Sequence, residues 1–222
     1  MPDTESNLAQ KEKIVTAAIA LYIDDRAGFT MANIARKTRI KKVEINRLFN
    51  SRYAILKYFY VLCVHRYRAM AAEIDDFADW SFEEKLSNFA YAMFEMLQEE
   101  REFVDEHFVT EIFRPSSVSR FQREVEALFG EFAVGICGAD RLASFLAREY
   151  LHLVRFWVAD ESDDAERTMA LVDKASSFVG AALRSGELIE SGTDLIRYLI
   201  ANGVIKAPLA KTFLHQAMRW SR

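Results

Sequence analysis

The chain has 222 residues, of which 51% are hydrophobic and 28% are charged, a balance typical of globular rather than disordered proteins. Only 8 Gly and 3 Pro are present, which is too few turn residues for a fold of many short strands. Two cysteines, Cys63 and Cys137, exclude a disulfide scaffold and a CxxC metal site, and they fit a cytoplasmic protein. No apolar run approaches the roughly 18 residues that cross a membrane, and the polar N-terminus lacks a signal-peptide pattern.

The net charge of −4 is unevenly distributed along the chain. Residues 1–70 carry 13 Lys and Arg against 6 Asp and Glu, whereas the rest carries 16 against 27. A basic first third attached to an acidic remainder predicts that the first third binds a polyanion and that the remainder has a different role.

The first seventy residues predict four helices. Apolar spacing indicates a first helix over about 7–27, ended by Gly28. Thr30 is expected to cap a short second helix, and a third short helix covers about 42–49. Ser51 is expected to cap a long fourth helix that continues to about residue 74.

The acidic remainder is also predicted to be helical. Ser81 and Glu84 form an S-x-x-E capping box that opens a fifth helix to about residue 100. A short helix then runs to Phe113 and is closed by Pro115. Further helices are expected over about 117–136, 139–159, 163–185 and 193–202, with a last one from Pro208 to about Trp220.

Residues 30–49 have the pattern of a helix-turn-helix, namely a short helix, a turn of about four residues and a second short helix. Ala35, Ile40 and Ile45 are expected to face inward. Seven cations fall within the 17 residues 36–52, against one acid, Glu44. The pattern predicts a DNA-binding segment, and the alternative is a solvated basic face on a helical bundle.

The candidate DNA-binding residues are Thr30, Arg39, Lys41, Lys42, Val43, Asn46, Arg47 and Arg52. Those on the exposed side of the third helix would reach base edges, where Arg47 can pair with guanine and Asn46 with adenine. Thr30, Lys41 and Arg52 lie at helix starts, which suits contacts to phosphates.

The N-terminal fifty residues resemble the DNA-binding domain of the tetracycline-repressor (TetR/AcrR) family. The resemblance rests on the helix KEKIVTAAIALYIDDRAGF, on Thr30, Ile34-Ala35, Ile40 and Phe49, and on Ser51-Arg52 running into Ala54-Ile55-Leu56. A weaker echo is FWVADESDDAERTMALVD, residues 156–173, which is similar to W-x-x-D-x-S and T-x-x-L-x-D strings late in many members. The resemblance implies an all-α fold. An N-terminal three-helix helix-turn-helix domain, residues 1–52, would be joined by a long helix to a C-terminal helical ligand-binding and dimerisation bundle, residues 53–222.

Three positions depart from the family pattern. Arg39 stands where the family usually has a turn Gly, and a left-handed residue other than Gly costs about 1 kcal/mol. Lys41 stands where a Ser cap is common, which removes a contribution of about 1 kcal/mol. Asn46 replaces a Tyr that contacts phosphate. The surrounding cations are expected to offset these changes in part, because phosphate contacts dominate affinity for DNA.

The resemblance also implies a ligand cavity in the aromatic-rich remainder. The candidate ligand-binding residues are Tyr91, Phe94, Met96, Phe108, Phe129, His152, Phe156 and Trp157. Between Phe89 and Phe113 the only cation is Arg101, flanked by glutamates, so a hydrophobic effector is favoured over a phosphorylated one. The alternatives are that these aromatics form an ordinary core and that no cavity exists.

In the resembled family the last two long helices pair with their copies to form a dimer. Here the helices over 139–159 and 163–185 carry apolar stripes, and Ala175, Ser176 and Gly180 would permit close helix approach. Packing of these stripes within one chain is the alternative.

The sequence therefore predicts a homodimeric, ligand-responsive transcriptional regulator, a repressor, that binds a double-stranded DNA operator. A rival prediction is a helical protein–protein interaction module that has weakened operator binding. No enzyme, cofactor or metal is expected, because the one E-x-x-H pair, Glu149 and His152, lacks the second pair of a di-iron site.

Overall fold

The computed structural model describes residues 5–115, 117–136 and 138–183. Its elements are α1 (Glu5–Asp24), α2 (Met31–Thr38), α3 (Lys42–Leu48), α4 (Arg52–Ala72), α5 (Phe82–Glu99), α6 (Arg101–His107), a π-helical turn (Phe108–Phe113), α7 (Arg120–Phe132), α8 (Ala139–Val158) and α9 (Glu166–Leu183). Short 3-10 turns, Phe77–Asp79 and Asp163–Ala165, precede α5 and α9. These ranges contain no strand, so the predicted all-α fold is confirmed. The helices expected over 193–202 and after Pro208 lie outside the described residues, as does Cys137.

Three of the helix starts form as the sequence predicts. Thr30 Oγ1 accepts a hydrogen bond from the Asn33 amide at 3.2 Å, and Ser51 Oγ accepts one from the Ala54 amide at 3.0 Å. At α5 the Ser81 and Glu84 side chains each accept from the other residue's amide, which completes the capping box. Such caps satisfy amides that have no partner inside the helix.

The stretch 101–113 differs from the single short helix expected there. α6 ends at His107, and the next six residues form the π-helical turn, which is wider than an α-helical turn. The change keeps Phe108 and Ile112 both in the core, at 0% and 3% exposure. Tertiary packing therefore decides the local geometry, and no turn residue in the sequence signals it.

We call α1–α3 the head and α5–α9 the body. One continuous apolar cluster extends from Ile14 in α1 to Val172 in α9, and the inward side of α4 contributes to it along most of its length. The head and the body therefore share a core through α4. The division expected after residue 52 stays a prediction.

Two ion pairs on the surface link the α6–π segment to the head side of the molecule. Arg26, just after α1, pairs with Glu106 of α6. Lys57 of α4 pairs with Glu111 of the π-helical turn at 2.9 Å. In addition, the ring of Tyr22 in α1 contacts the ring of His107 edge-on, with centroids 6.2 Å apart. The α6–π segment is thus the part of the body that lies against the head.

α9 packs against α5 as well as against α8. Gly180 of α9 faces Glu83 of α5, and a methyl group at Gly180 would displace the Glu83 carboxylate and lie 3.1 Å from the Glu83 Cβ. Gly180, one of the small residues expected at a dimer interface, therefore packs against a helix of its own chain. Within the described residues, no helix is both long and apolar enough to span a membrane.

Candidate nucleic-acid interface and ligand groove

The turn between α2 and α3 is held by a buried threonine. Thr38, 1% exposed, donates its hydroxyl hydrogen to the Ile34 carbonyl at 2.8 Å and accepts from the Ile40 amide at 3.3 Å. Arg39 follows in the left-handed region, with φ 58° and ψ 27°. The turn therefore has the conformation for which the family that the head resembles uses glycine, and the sequence analysis missed the role of Thr38.

α3 begins without a side-chain cap. The Lys41 carbonyl accepts from the amides of Glu44 and Ile45, at 2.9 and 3.1 Å, but the Lys41 side chain makes no cap. Ile45 is fully buried and anchors the seven-residue helix to the core. Packing of Ile45, rather than capping, fixes the position of α3.

The outer side of α3 is exposed and basic. Lys42, Val43, Asn46 and Arg47 recur on one side of the helix, and all four are exposed, Val43 at 63%. Lys41 and Arg39 are exposed immediately before them. We call these six residues the α3 surface. It brings together the side chains that the sequence predicted to read bases.

The two remaining DNA-binding candidates are partly buried. Thr30 is the cap of α2, and its amide donates to the Gly28 carbonyl at 2.8 Å. Arg52 donates to the Phe29 carbonyl at 2.5 Å, and its guanidinium lies over the rings of Phe29 and Tyr53. Both residues therefore have structural partners. Tyr53, 46% exposed beside Arg52, is an exposed aromatic at a helix start that the sequence analysis did not single out.

A cavity of about 580 Å³ separates the end of α3 from the body. Its lining includes Arg47 from α3, Lys57 and Tyr58 from α4, and Glu111 and Arg120 from the body. The Arg120 guanidinium lies over the Tyr58 ring at 4.8 Å. The joint between the head and the body is therefore open and lined by charged as well as apolar side chains, whereas the interior of the body is aromatic.

The eight candidate ligand residues do not share one cavity. Three of them, Phe129, His152 and Phe156, line a groove of about 190 Å³ between α5, α7, α8 and α9. Phe94, Met96, Phe108 and Trp157 are buried in the core, and Tyr91 donates a hydrogen bond to Asp173 of α9. Phe94 stacks on Trp157 with ring centroids 5.5 Å apart.

We call the groove of about 190 Å³ that Phe129, His152 and Phe156 line the body groove. Its walls are mostly apolar side chains, among them Leu86 and Ala90 of α5, Leu146 and Leu153 of α8, and Val172, Ala175 and Val179 of α9. Leu146, Leu153, Ala175 and Val179 come from the stripes predicted to form a dimer, and they are half-buried. Tyr150 and Val172, from the same stripes, are buried in the chain's own core.

Two buried side chains near the aromatic core carry polar atoms that lack a hydrogen-bond partner among the described residues, Tyr150 Oη and His107 Nε2. Burial raises the pKa of Tyr150 and lowers that of His107 to about 4, so both groups are neutral at pH 7. Cys63, fully buried nearby, has a pKa raised to about 12 by burial and is an unreactive thiol. An unsatisfied buried polar atom costs about 1–3 kcal/mol.

The late motif W-x-x-D-x-S followed by T-x-x-L-x-D has a physical explanation. Asp160 is 8% exposed; its Oδ2 accepts from the Thr168 amide and hydroxyl at 2.8 and 2.6 Å, and its Oδ1 accepts from the Ser162 amide and hydroxyl at 3.1 and 2.7 Å. Burial alone would raise the pKa of Asp160, but these hydrogen bonds lower it. Asp160 therefore ties the end of α8 to the start of α9.

In the described residues, a helix-turn-helix head adjoins a helical body with an apolar groove. This arrangement is that of two-part helix-turn-helix proteins. Residues 130–199 match the family model described as tetracyclin repressor-like, C-terminal domain. The match confirms the resemblance to the tetracycline-repressor family, from a segment separate from the head residues that first indicated it. No curated protein and no solved structure matches the chain significantly.

Proposed function

We propose that the protein is a homodimeric transcriptional repressor that binds a palindromic DNA operator and releases it when a hydrophobic effector binds the body. The observation that carries the DNA-binding part is the α3 surface, where Lys42, Asn46 and Arg47 are exposed on one side of a helix that follows a left-handed turn. Cations at this position attract phosphates, while Asn46 and Arg47 offer hydrogen bonds to base edges.

A second copy provides the second recognition helix. Half-buried apolar residues of α8 and α9 remain at the rim of the body groove, among them Leu153, Ala175 and Val179. Pairing of these helices with their copies would remove this apolar surface from water at about 25 cal/mol per Å². Two heads held about 34 Å apart would then reach successive major grooves on one side of the duplex.

Release follows from the contacts between body and head. A ligand that rearranges the body helices shifts the α6–π segment, which bears on the head through the Arg26–Glu106 pair and the Tyr22–His107 ring contact. α4 then tilts and the spacing of the two recognition helices changes. Because both helices must match their half-sites together, a modest change in spacing lowers the affinity for DNA.

A mobility shift with the DNA upstream of the protein's own coding sequence tests the proposal. Specific binding is expected to exceed binding to a random duplex of equal length, and log K is expected to fall linearly with log salt. Equal affinity for both duplexes would favour the second candidate function, a helical interaction module with weakened operator binding. The strained Arg39 and the uncapped α3 support that candidate.

The hydrophobic character of the effector has its own test, a thermal-shift screen against matched apolar and anionic libraries. Apolar compounds are expected to stabilise the protein, because the interior of the body is formed by aliphatic and aromatic side chains. Stabilisation by phosphorylated metabolites alone would contradict this part of the proposal.

A further inference from the structure

The cavity of about 580 Å³ at the end of α3 has a positively charged lining. We call this space between the head and the body the joint cavity. Three cations line it, Arg47 of α3, Lys57 of α4 and Arg120 of α7, against one acid, Glu111 of the π-helical turn. The lining residues therefore carry a net charge of +2 at pH 7.

The acids around the joint cavity do not balance its three cations. Lys57 pairs with Glu111 at 2.9 Å, and Arg120 pairs with Glu124 at 3.5 Å, although Glu124 is not a lining residue. The guanidinium of Arg47 forms no ion pair or hydrogen bond with any residue of the described ranges. Like charges around one space repel each other, so an anion bound between them is stabilised.

Two further features make the surroundings of the joint cavity positive. Lys11 of α1 donates a hydrogen bond to the hydroxyl of Tyr58, a lining residue, at 3.4 Å, and its Nζ lies 4.8 Å from the centroid of that ring. α7 begins at the cavity, since its cap Ser119 and its first residue Arg120 are both lining residues. The amides at the start of a helix carry partial positive charge, which adds to the attraction for an anion.

The size and the apolar part of the lining suit an organic anion. Leu48, Phe49, Ile112 and Phe121 contribute apolar side chains to the walls. A volume of about 580 Å³ lies within the range of about 300–1,000 Å³ that is typical of small-molecule sites. A dianion matches the net charge of the lining, and arginine binds phosphate oxygens through two parallel hydrogen bonds.

We propose that the joint cavity binds a phosphate monoester of an aromatic or similarly apolar group, with the phosphate held by Arg47, Lys57 and Arg120. The site is separate from the interior of the body, where the hydrophobic effector of the proposed function would bind, and it needs no second copy. It adds a second class of ligand to the proposed function, and only its effect on DNA rests on that function.

The effect on DNA follows from a residue that the two sites share. Arg47 belongs both to the α3 surface and to the lining of the joint cavity. An Arg47 side chain that holds a phosphate ester cannot at the same time pair with a guanine of the operator. The ester and the operator therefore compete, and each lowers the affinity for the other by the same factor. Such a ligand would release DNA without rearranging the body helices.

Three probes with the full chain at about pH 8 separate the charge of the ligand from its apolar contacts: phenyl phosphate, inorganic phosphate and benzoate. Phenyl phosphate is a dianion under these conditions, because the second pKa of a phosphate monoester is about 6. At constant ionic strength, calorimetry should show phenyl phosphate bound about tenfold more tightly than inorganic phosphate, because its ring leaves water for the apolar walls. Benzoate, with the ring but a single charge, should bind about fivefold more weakly than phenyl phosphate.

Two variants with opposite effects test the residues of the site. Arg120→Gln should weaken phenyl phosphate about fivefold, a modest factor because the Arg120 side chain is 50% exposed. Glu111→Gln removes the acid from the lining and the partner of Lys57, so it should tighten binding about fivefold. Misfolding cannot produce such a gain, which keeps the test decisive. Arg141→Gln, at an exposed position on α8 outside the lining, is the control for net charge and should bind as the parent does.

Three results would overturn the proposal. Inorganic phosphate bound as tightly as phenyl phosphate would indicate an adventitious ion only. Equal affinities of the parent, Arg120→Gln and Glu111→Gln for phenyl phosphate would remove these residues from the site. A lower DNA affinity of Arg120→Gln in the absence of any ester would place the joint cavity within the DNA interface instead.

Failure of the site and failure of the function give different results. A protein that binds its upstream DNA specifically but does not bind phenyl phosphate would refute the site and keep the regulator. A protein that binds phenyl phosphate through Arg120 but has no DNA preference would keep the site and refute the regulator. If both hold, phenyl phosphate should release DNA from the parent protein at about fivefold lower concentration than from Arg120→Gln. Release at equal concentrations would refute competition at Arg47.

Discussion

The ring of His107 stacks on the ring of Tyr60, with centroids 5.8 Å apart and Nδ1 3.2 Å from the tyrosine hydroxyl. Both residues are buried, and burial lowers the pKa of His107 from 6.5 to about 4. The stack joins α4 to α6 with a neutral imidazole, which places a titratable group at the contact between the body and the head.

This pair makes the stability of the protein dependent on pH. The unfolded chain takes up a proton at His107 below pH 6.5, whereas the folded protein does so only near pH 4, so lowering the pH favours unfolding. The free energy of unfolding should lose on the order of 3 kcal/mol between these values through His107. Denaturant titrations measure the free energies of unfolding of the parent protein and of His107→Phe, and these two values should converge or cross as the pH falls. A difference between the two free energies of unfolding that stays constant from pH 7 to pH 4 would contradict the lowered pKa of His107. His152→Phe is the control, because it removes an exposed imidazole.

Asp160 should contribute more to stability than other acids of its segment. Asp160→Ala leaves the amide and hydroxyl of the fully buried Thr168 without their acceptor, which should lower the free energy of unfolding by about 2–3 kcal/mol. The matched control is Asp163→Ala, at an exposed position three residues on. Thermal denaturation compares them, and equal melting temperatures of the two variants would show that the hydrogen bonds to Thr168 contribute little.

Arg39→Gly should stabilise the protein. Glycine relieves a left-handed φ of 58° at a gain of about 1 kcal/mol, which corresponds to roughly 2–4 °C in melting temperature. The same change removes a cation from the α3 surface, so DNA affinity should fall and the salt slope should decrease by about 1. Arg36→Gly, inside α2, should instead destabilise by about 1 kcal/mol. A melting temperature lowered in both variants would argue against strain at Arg39.

Arg47→Ala tests direct reading of a base. The substitution should cost about 1–3 kcal/mol in specific binding and relax the preference at one operator position, since an Arg can hold guanine through two hydrogen bonds. Arg141→Ala, an exposed position on α8, makes the same change in net charge away from the head. Quantitative mobility shifts measure both, and unchanged affinity and sequence preference would remove Arg47 from the interface.

Val179→Arg tests the two-fold assembly. Val179 is half-buried at the rim of the body groove, and a dimer seam there would trap the new charge without a partner. The variant should sediment as a monomer, while Val134→Arg, at a position 82% exposed, should sediment as the parent protein does. A folded Val179→Arg protein that still sediments as a dimer would place the interface elsewhere.

Local interactions were predictable from the sequence, and those that join distant segments were not. The caps at Thr30, Ser51 and Ser81 involve residues three positions apart, and the left-handed Arg39 follows from a single departure from the family pattern. By contrast, the π-helical turn depends on keeping Phe108 and Ile112 in a core built by other helices. Phe94 and Trp157 were predicted to bind a ligand, with an ordinary core as the alternative, and both are buried in the core. Spacing alone cannot tell a core residue from a residue of a ligand site.

The ion pairs Arg26–Glu106 and Lys57–Glu111 alter the interpretation of any salt titration of this protein. Their side chains are 40–56% exposed, so added salt screens them over the same range in which it reduces the gain from counterion release when a protein binds DNA. Salt then loosens the docking of the α6–π segment while it weakens the contacts to phosphate that are proposed for the α3 surface. A slope of log K against log salt would therefore overcount phosphates, and the slope measured on a Glu106→Gln, Glu111→Gln variant, which lacks both ion pairs, would give the corrected number.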